Sequence, residues 1–240
     1  MAQRQRRENQ GGSSLRGLYI GLAGVAVAGV AAIAWALSSG GGQTVTEPLD
    51  LSGLSGSELM AAAQPVAIGN ANAPVEVRVF SDYTCPGCRS FSQLSKPAVM
   101  EQVEAGTARL LYYDFPLGGA GHPHSFISAR ASRCAVDQDR YWEYQDVLFA
   151  RQDTWAYSSS APVDELVGYA GEVGMDTGAF GQCLRSDAHA EVVSANRALA
   201  EQLGIASTPT VFVGSRSLGG NSWADPAAVR AAILREAAGS

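Results

Sequence analysis

Lysine is almost missing from this 240-residue chain: Lys96 is the only one, and arginine supplies the rest of the 17 basic residues that stand against 23 acidic ones. A formal charge of −6 excludes a general nucleic-acid binder, which needs a basic face. Cysteine is scarce as well. Four in a chain of this size are too few for a disulfide scaffold, so their spacing carries the information. Three histidines and four methionines, with no methionine cluster beside a cysteine, leave little from which to build a metal cage or a copper-handling segment. No internal repeat is visible. What is abundant is apolar: 46% hydrophobic against 17% charged excludes a disordered chain and allows one or two domains.

The charge is unevenly spread. Arg4, Arg6, Arg7 and Arg16 against Glu8 give residues 1–16 a net charge of +3. The uncharged run 17–37, GLYIGLAGVAVAGVAAIAWAL, follows at once. At 1.5 Å rise per residue it is long enough to cross a hydrocarbon core of about 30 Å. Arginines before it and none close behind predict a cytoplasmic N-terminus, with Tyr19 and Trp35 near the two interfaces. A cleaved signal peptide is the alternative, since Ala34-Trp35-Ala36 fits a small-x-small site; the length of the apolar run favours an anchor. Either way the rest of the chain is expected outside the cytoplasm, where thiols tend to be oxidised. Residues 38–64, rich in Gly, Ser and Thr, read as a flexible linker with a short helix at Glu58–Ala63. A domain over 65–240 follows, within the size of one unit.

Val75–Ser81 alternates apolar and polar residues after Pro74 and predicts a strand. Helical sequence runs from Cys85 to about Glu104, with a kink expected at Pro97. Ala108–Phe115 predicts a second strand. From Pro123 to Leu203 the pattern is helical, broken near Asp153–Pro162 and Gly174–Thr177. Pro209–Val213 predicts a short strand with a weak partner near Leu218. Asp225 and Pro226 open a last helix that runs to about Glu236. A helical block of about 123–203 thus interrupts a small α/β domain.

Cys85-Pro-Gly-Cys88 is weak as a bare pattern, but it follows a predicted strand and opens a predicted helix. A sulfur at a helix N-terminus faces unpaired N–H groups and the positive end of the dipole, which favour the thiolate. Thiolate attack on a disulfide gives a mixed disulfide, which a second cysteine one turn away resolves. Pro86 suits the first helical turn because it needs no N–H partner. A closed zinc site needs four ligands, and Cys134 and Cys183 are isolated singles. A thiol metallochaperone holding Cu(I) on Cys85 and Cys88 remains a reading of another class.

Cys134 and Cys183 lie 49 residues apart in the helical block. Export and an even count favour a structural disulfide, which would stabilise by roughly 3–4 kcal/mol. Two buried free thiols, or an electron relay to Cys85 and Cys88, are the alternatives. His122 and His124 straddle Pro123 before a helix and lack a third ligand at readable spacing, and His189 is remote, so no metal site is expected. Tyr141, Trp142 and Tyr144 belong to an apolar helix stripe. Phe80, Tyr83 and Phe91 flank the motif and read either as core or as an apolar rim for unfolded substrate.

Taken together, Ala73–Cys88, Tyr113–Leu117, His122-Pro123, Cys134-Ala135, Tyr141–Tyr144 and Gly204–Val213 resemble, in order, the DsbA-like branch of the thioredoxin superfamily. The resemblance covers 66–240 and implies a thioredoxin fold with a helical insertion. It also implies a nucleophilic Cys85, a resolving Cys88 and a cis Thr208-Pro209 bond packed against the active disulfide. Two departures stand out. Gly87 occupies the place of a histidine in the well-known oxidase motif. Val79 occupies the place of a buried acid carried by many thioredoxin-like proteins. Glu76 and Asp82 are near in sequence, but alternation turns Glu76 away from Val77 and Val79, and neither is assigned a catalytic role. The resemblance further implies disulfide transfer to folding exported proteins without a cofactor, and reoxidation by a quinone-linked membrane partner resembling DsbB or a vitamin-K-epoxide-reductase homologue. A reductase or isomerase is the alternative within the family; isomerases usually add a dimerisation domain, for which 38–64 is too short.

Overall fold

The alternation in Val75–Ser81 becomes the central strand of a five-stranded sheet in the computed structural model, which describes residues 46–239. The basic N-terminus 1–16 and the apolar segment 17–37 lie outside the described residues. Among the described residues, no helix is long and apolar enough to cross a membrane.

In chain order the elements are α1 (Gly56–Ala62), β1 (Val66–Ile68), β2 (Val75–Ser81), α2 (Pro86–Leu94), α3 (Lys96–Glu104) and β3 (Ala108–Asp114). The helical block supplies α4 (Ser125–Val136), α5 (Tyr141–Ala150), α6 (Gln152–Trp155), α7 (Val163–Glu172), α8 (Thr177–Arg185) and α9 (Ala190–Gln202). Strands β4 (Thr210–Val213) and β5 (Arg216–Ser217), a 3-10 turn (Ser222–Ala224) and α10 (Pro226–Gly239) complete the fold. The strand order is β1-β3-β2-β4-β5. Only the β2–β3 pair is parallel, as the crossover through α2 and α3 requires.

Val75, Val77 and Val79 are fully buried on one face of β2 and share a core with Val99 and Val103 of α3 and Val229 and Ile233 of α10. Phe80 points to the other face, against Phe115, Ala200 and Ile205. Both faces of the sheet are therefore covered, which accounts for the apolar character of its strands. The helical block is pinned to the sheet by a buried ion pair: Arg133 Nε of α4 donates to Asp114 Oδ2 at the end of β3 over 2.6 Å, and Asn196 of α9 donates to the same oxygen.

Four expectations are corrected. Part of the linker expected over 38–64 is folded: α1 starts with a Ser55–Glu58 capping box, and Leu59 and Ala63 bury against Ala195 of α9. The Leu49 N–H also donates to Ser194 Oγ over 2.8 Å. Pro97 does not kink one helix. The chain breaks at Ser95, and the proline sits in the first turn of a new helix, where it needs no N–H partner. Strand β1 escaped notice because three residues carry no readable alternation; antiparallel pairing with β3 creates it. Finally, the helical block has further breaks after α4 and before α9, at Asp139 (φ 56°) and His189 (φ 62°), non-glycine residues in the left-handed region.

Candidate active site

The loop Asp82–Thr84 turns the chain from β2 into α2. Its shape comes from the buried Asp82 carboxylate, which accepts from the N–H and hydroxyl of Thr84 (2.7 and 2.8 Å), from Leu117 N–H (2.8 Å) and from Ser125 Oγ (2.5 Å). Asp82 thus ties three segments together, and Glu76 lies exposed near the start of the same strand.

Cys85 is the N-cap of α2 and Pro86 its first residue, so the Cys85 sulfur sits where the helix N–H groups are unpaired. The two sulfurs of the motif differ. Cys85 keeps 8% of its surface exposed, whereas Cys88 has none. The Cys85 thiol is held down to about 6, first by a hydrogen bond from the Cys88 thiol, then by Thr208 and by the N–H groups of Cys88 and Gly87, all against the opposing effect of burial. Cys88 is pushed well above the ordinary thiol value by burial, and further by the hydrogen bond to Cys85 and its charge.

Thr208 and Pro209 face this pair. Their peptide bond is cis, and the Cys85 thiol donates to the Thr208 carbonyl over 3.4 Å. The Thr208 hydroxyl is buried with no other partner among the described residues, which leaves it free for the Cys85 thiolate. Gly87 is half-buried beside Pro209 and Trp223. A Cβ there would come within 3.1 Å of Pro209 Cδ and 3.4 Å of Trp223 in the 3-10 turn. A side chain at position 87 would need Pro209 to give by a few tenths of an ångström, so the residue seen as a departure in the motif fits its tertiary surroundings.

Three side chains that the sequence did not single out hold the loop from the helical block. The Gln152 amide donates to the carbonyls of Tyr83 and Cys85 (2.8 and 3.0 Å), and the Tyr157 hydroxyl donates to the carbonyl of Thr84 (2.7 Å). Asp153 pairs with Arg89 of α2 at 2.6 Å. The carbonyls of Tyr83, Thr84 and Cys85 thus each accept from the helical block, and the Cys85 carbonyl also accepts from the N–H groups of Cys88 and Arg89. Nothing local marks these residues, since Gln152 and Tyr157 act on backbone 67 to 73 positions away.

The other candidate residues separate. Phe80, Tyr83 and Phe91 are all buried, so the reading of them as an exposed apolar rim is withdrawn: Phe80 packs against Phe115, Ala200 and Ile205, Tyr83 stacks on Phe149 of α5, and Phe91 belongs to the main core. Cys134 and Cys183 are joined by a disulfide between α4 and α8. His122 Nδ1 lies 2.7 Å from Thr84 Oγ1 at the edge of the site, His124 Nε2 lies 2.8 Å from the Ser158 carbonyl, and His189 pairs with Asp137 beside the disulfide.

A family model described as thioredoxin matches residues 61–233. The chain belongs to the thioredoxin family. This member is 28% identical over 165 residues to the probable disulfide bond formation protein D of Bacillus cereus, covering 66% of this chain and 74% of that one. It is 32% identical over 149 residues to the Na(+)/H(+) antiporter NhaA 3 of Salinispora tropica, covering 62% of this chain. It spans only about a fifth (21%) of that relative's length. Among solved structures, oxidised BdbD from Bacillus subtilis superposes with a TM-score of 0.63 at 22% identity, over 82% of this chain and 99% of that one, a likeness of fold. The arrangement supplies a thiol of lowered pKa that keeps a small exposed surface, a fully buried partner one turn away, and a backbone carbonyl and hydroxyl facing the more exposed sulfur.

Proposed function

We propose that this chain is an exported thiol:disulfide oxidoreductase, tethered by segment 17–37, that donates a Cys85–Cys88 disulfide to folding cysteine-containing proteins. A substrate thiolate attacks Cys85; the bond to Cys88 breaks and Cys88 leaves as a thiolate. A second substrate thiol, deprotonated, then attacks the substrate sulfur of the mixed disulfide, and Cys85 leaves as a thiolate. Two electrons pass from substrate to protein, and a quinone-linked membrane partner of the DsbB or vitamin-K-epoxide-reductase kind takes them up again.

The observation that carries this reading is the unequal pair: Cys85 is ionised near neutral pH and partly accessible, while Cys88 is neutral and enclosed. A low-pKa sulfur leaves readily, so the second step runs toward the substrate disulfide. Its thiolate also stabilises the reduced protein, which makes the disulfide more oxidising. The Bacillus cereus relative, named for disulfide bond formation, supports the same direction.

The test is the reduction potential of Cys85–Cys88 in the full-length chain, equilibrated against glutathione. A value of about −120 to −180 mV is expected of a disulfide donor; about −250 mV or below would overturn donation and favour reduction.

A further inference from the structure

Among the described residues, one group of three histidine, cysteine or acidic side chains lies close enough to share a metal ion, and it includes neither Cys85 nor Cys88. In Cys134, Cys183 and His189, the two sulfurs and a ring nitrogen all lie within 4.8 Å of one another. A fourth donor stands beside them. Asp137 Oδ2 is 2.9 Å from His189 Nε2 and 3.6 Å from Cys183 Sγ. The chain delivers these donors as two short pairs, Cys134-Ala-Val-Asp137 and Cys183 with His189, and ligands grouped in short pairs are a habit of zinc sites. His189 looked remote in the sequence; the packing of α8 on α4 brings the two pairs together.

As a disulfide, the two cysteines offer no thiolate to a metal. A dithiol reductant changes that. Its thiolate attacks Cys183 Sγ, the less buried of the two sulfurs, and Cys134 leaves. The second reductant sulfur then attacks the first, and Cys183 leaves. Two electrons and two protons pass to the chain, and the reductant becomes a disulfide. A dication that binds both sulfurs displaces the two protons to solvent. The surroundings favour a cation. Cys134 lies in the last turn of α4 and Cys183 in the last turn of α8, at the negative ends of both helix dipoles. Asp137 adds a carboxylate, and the nearby arginines are paired elsewhere, Arg133 with Asp114 and Arg185 with Asp164. What penalises two free thiolates thus favours a metal between them. Two sulfurs on one tetrahedral zinc ion stand about 3.8 Å apart, a spacing that Cα atoms 5.9 Å apart reach by side-chain rotation.

We propose that Cys134, Cys183, His189 and Asp137 form a zinc site in the reduced chain, where the metal takes the place of the disulfide between α4 and α8. The two sulfurs and the imidazole supply three ligands, and the Asp137 carboxylate supplies the fourth. Thiolates with an imidazole and one carboxylate are a donor set that zinc accepts in tetrahedral geometry. Metal and disulfide close the same span of 49 residues, so zinc keeps α4 and α8 tied when the bond is open. The inference uses neither Cys85 nor Cys88 and is independent of the oxidoreductase reading.

The test uses the full-length chain carrying Cys85→Ala and Cys88→Ala, so that sulfur ligands can come only from the second pair. A water-soluble phosphine opens the Cys134–Cys183 bond: phosphorus attacks one sulfur, the other leaves, and water releases the first as the phosphine oxide forms. Zinc alone is then added and competed with a chromophoric chelator. The reduced chain should hold about one zinc ion and the oxidised chain none. The zinc-loaded chain should keep the tryptophan emission of the oxidised chain, in which Trp155 is fully buried. Cobalt in place of zinc should give thiolate charge-transfer absorption and the visible bands of tetrahedral coordination. His189→Ala should weaken zinc by at least about tenfold and shift the cobalt bands; Asp137→Ala should weaken it less, because water can fill the fourth position. The site would be overturned by equal uptake in the oxidised chain, by no uptake in the reduced chain, by unchanged affinity in His189→Ala, or by uptake only with unfolded-like emission. Unchanged affinity in Asp137→Ala would remove that residue from the ligand set.

Discussion

The chain carries two cysteine pairs, and their surroundings set them apart. Cys85 caps the N-terminus of α2, where N–H groups and the helix dipole favour negative charge. Cys134 and Cys183 occupy the last turns of α4 and α8, where outward carbonyls disfavour it. The Asp137 carboxylate lies 3.6 Å from Cys183 Sγ and adds to that effect. Reduction yields a stabilised thiolate at the first pair and a penalised one at the second.

The sharpest way to break this comparison is to remove each pair in turn. Cys85→Ser should abolish disulfide transfer, measured as oxidation of a reduced dithiol peptide, while the chain stays folded. Cys134→Ala with Cys183→Ala should do the reverse. Opening that loop should cost about 3–4 kcal/mol in urea unfolding, while transfer per folded molecule stays close to the parent value. A double variant that lost transfer while still folded would show that the second pair takes part in exchange.

A finer test asks whether the helical block shapes the reactive pair. Gln152→Ala removes the amide that the carbonyls of Tyr83 and Cys85 accept from; the Cys85 carbonyl keeps the N–H groups of Cys88 and Arg89. We expect the Cys85 ionisation, read from the pH dependence of iodoacetamide alkylation, to move up from about 6. Alkylation near pH 6 should fall by about threefold to tenfold, the effect of a fraction of a unit to one unit. Unchanged alkylation in a folded variant would mean that Gln152 plays no part in holding the thiolate.

The smallest effect is a slope. The Cys85 thiol falls from an ordinary value of 9.0 to about 6 on folding. Its contribution to the stability of the reduced protein is complete above the unfolded value and is lost as pH falls through the folded one. Cys88 is raised, so it opposes this only in the alkaline range where an unfolded thiol ionises. The reduced chain should therefore gain on the Cys85–Cys88 oxidised chain between about pH 6 and 8 in paired urea titrations. A gap that narrowed with pH would contradict the low Cys85 value.

The parts of this site that were legible in the sequence are those whose causes are local. A strand, a turn and Cys-Pro-Gly-Cys in succession are enough to put one sulfur at a helix start and the other one turn along. Pro209 came from likeness to a family. Gln152 and Tyr157 were visible only as ordinary residues of a helical block. Each acquires its role through a contact far along the chain. The linker reading failed in part for a related reason: Leu59 and Ala63 look sparse alone and become core only against Ala195.

By itself, then, the amino-acid order determined the secondary elements with a clear period, the place of the reactive pair at a helix terminus and the apolar faces that must be buried. These follow from bond geometry and side-chain polarity within a few residues. Only the tertiary structure decided which cysteine keeps some exposed surface, that Cys134 meets Cys183 and that Gly87 lies beside Pro209 and Trp223. Burial and hydrogen-bond partnership are properties of neighbours in space, and the fold chose those neighbours from distant parts of the chain.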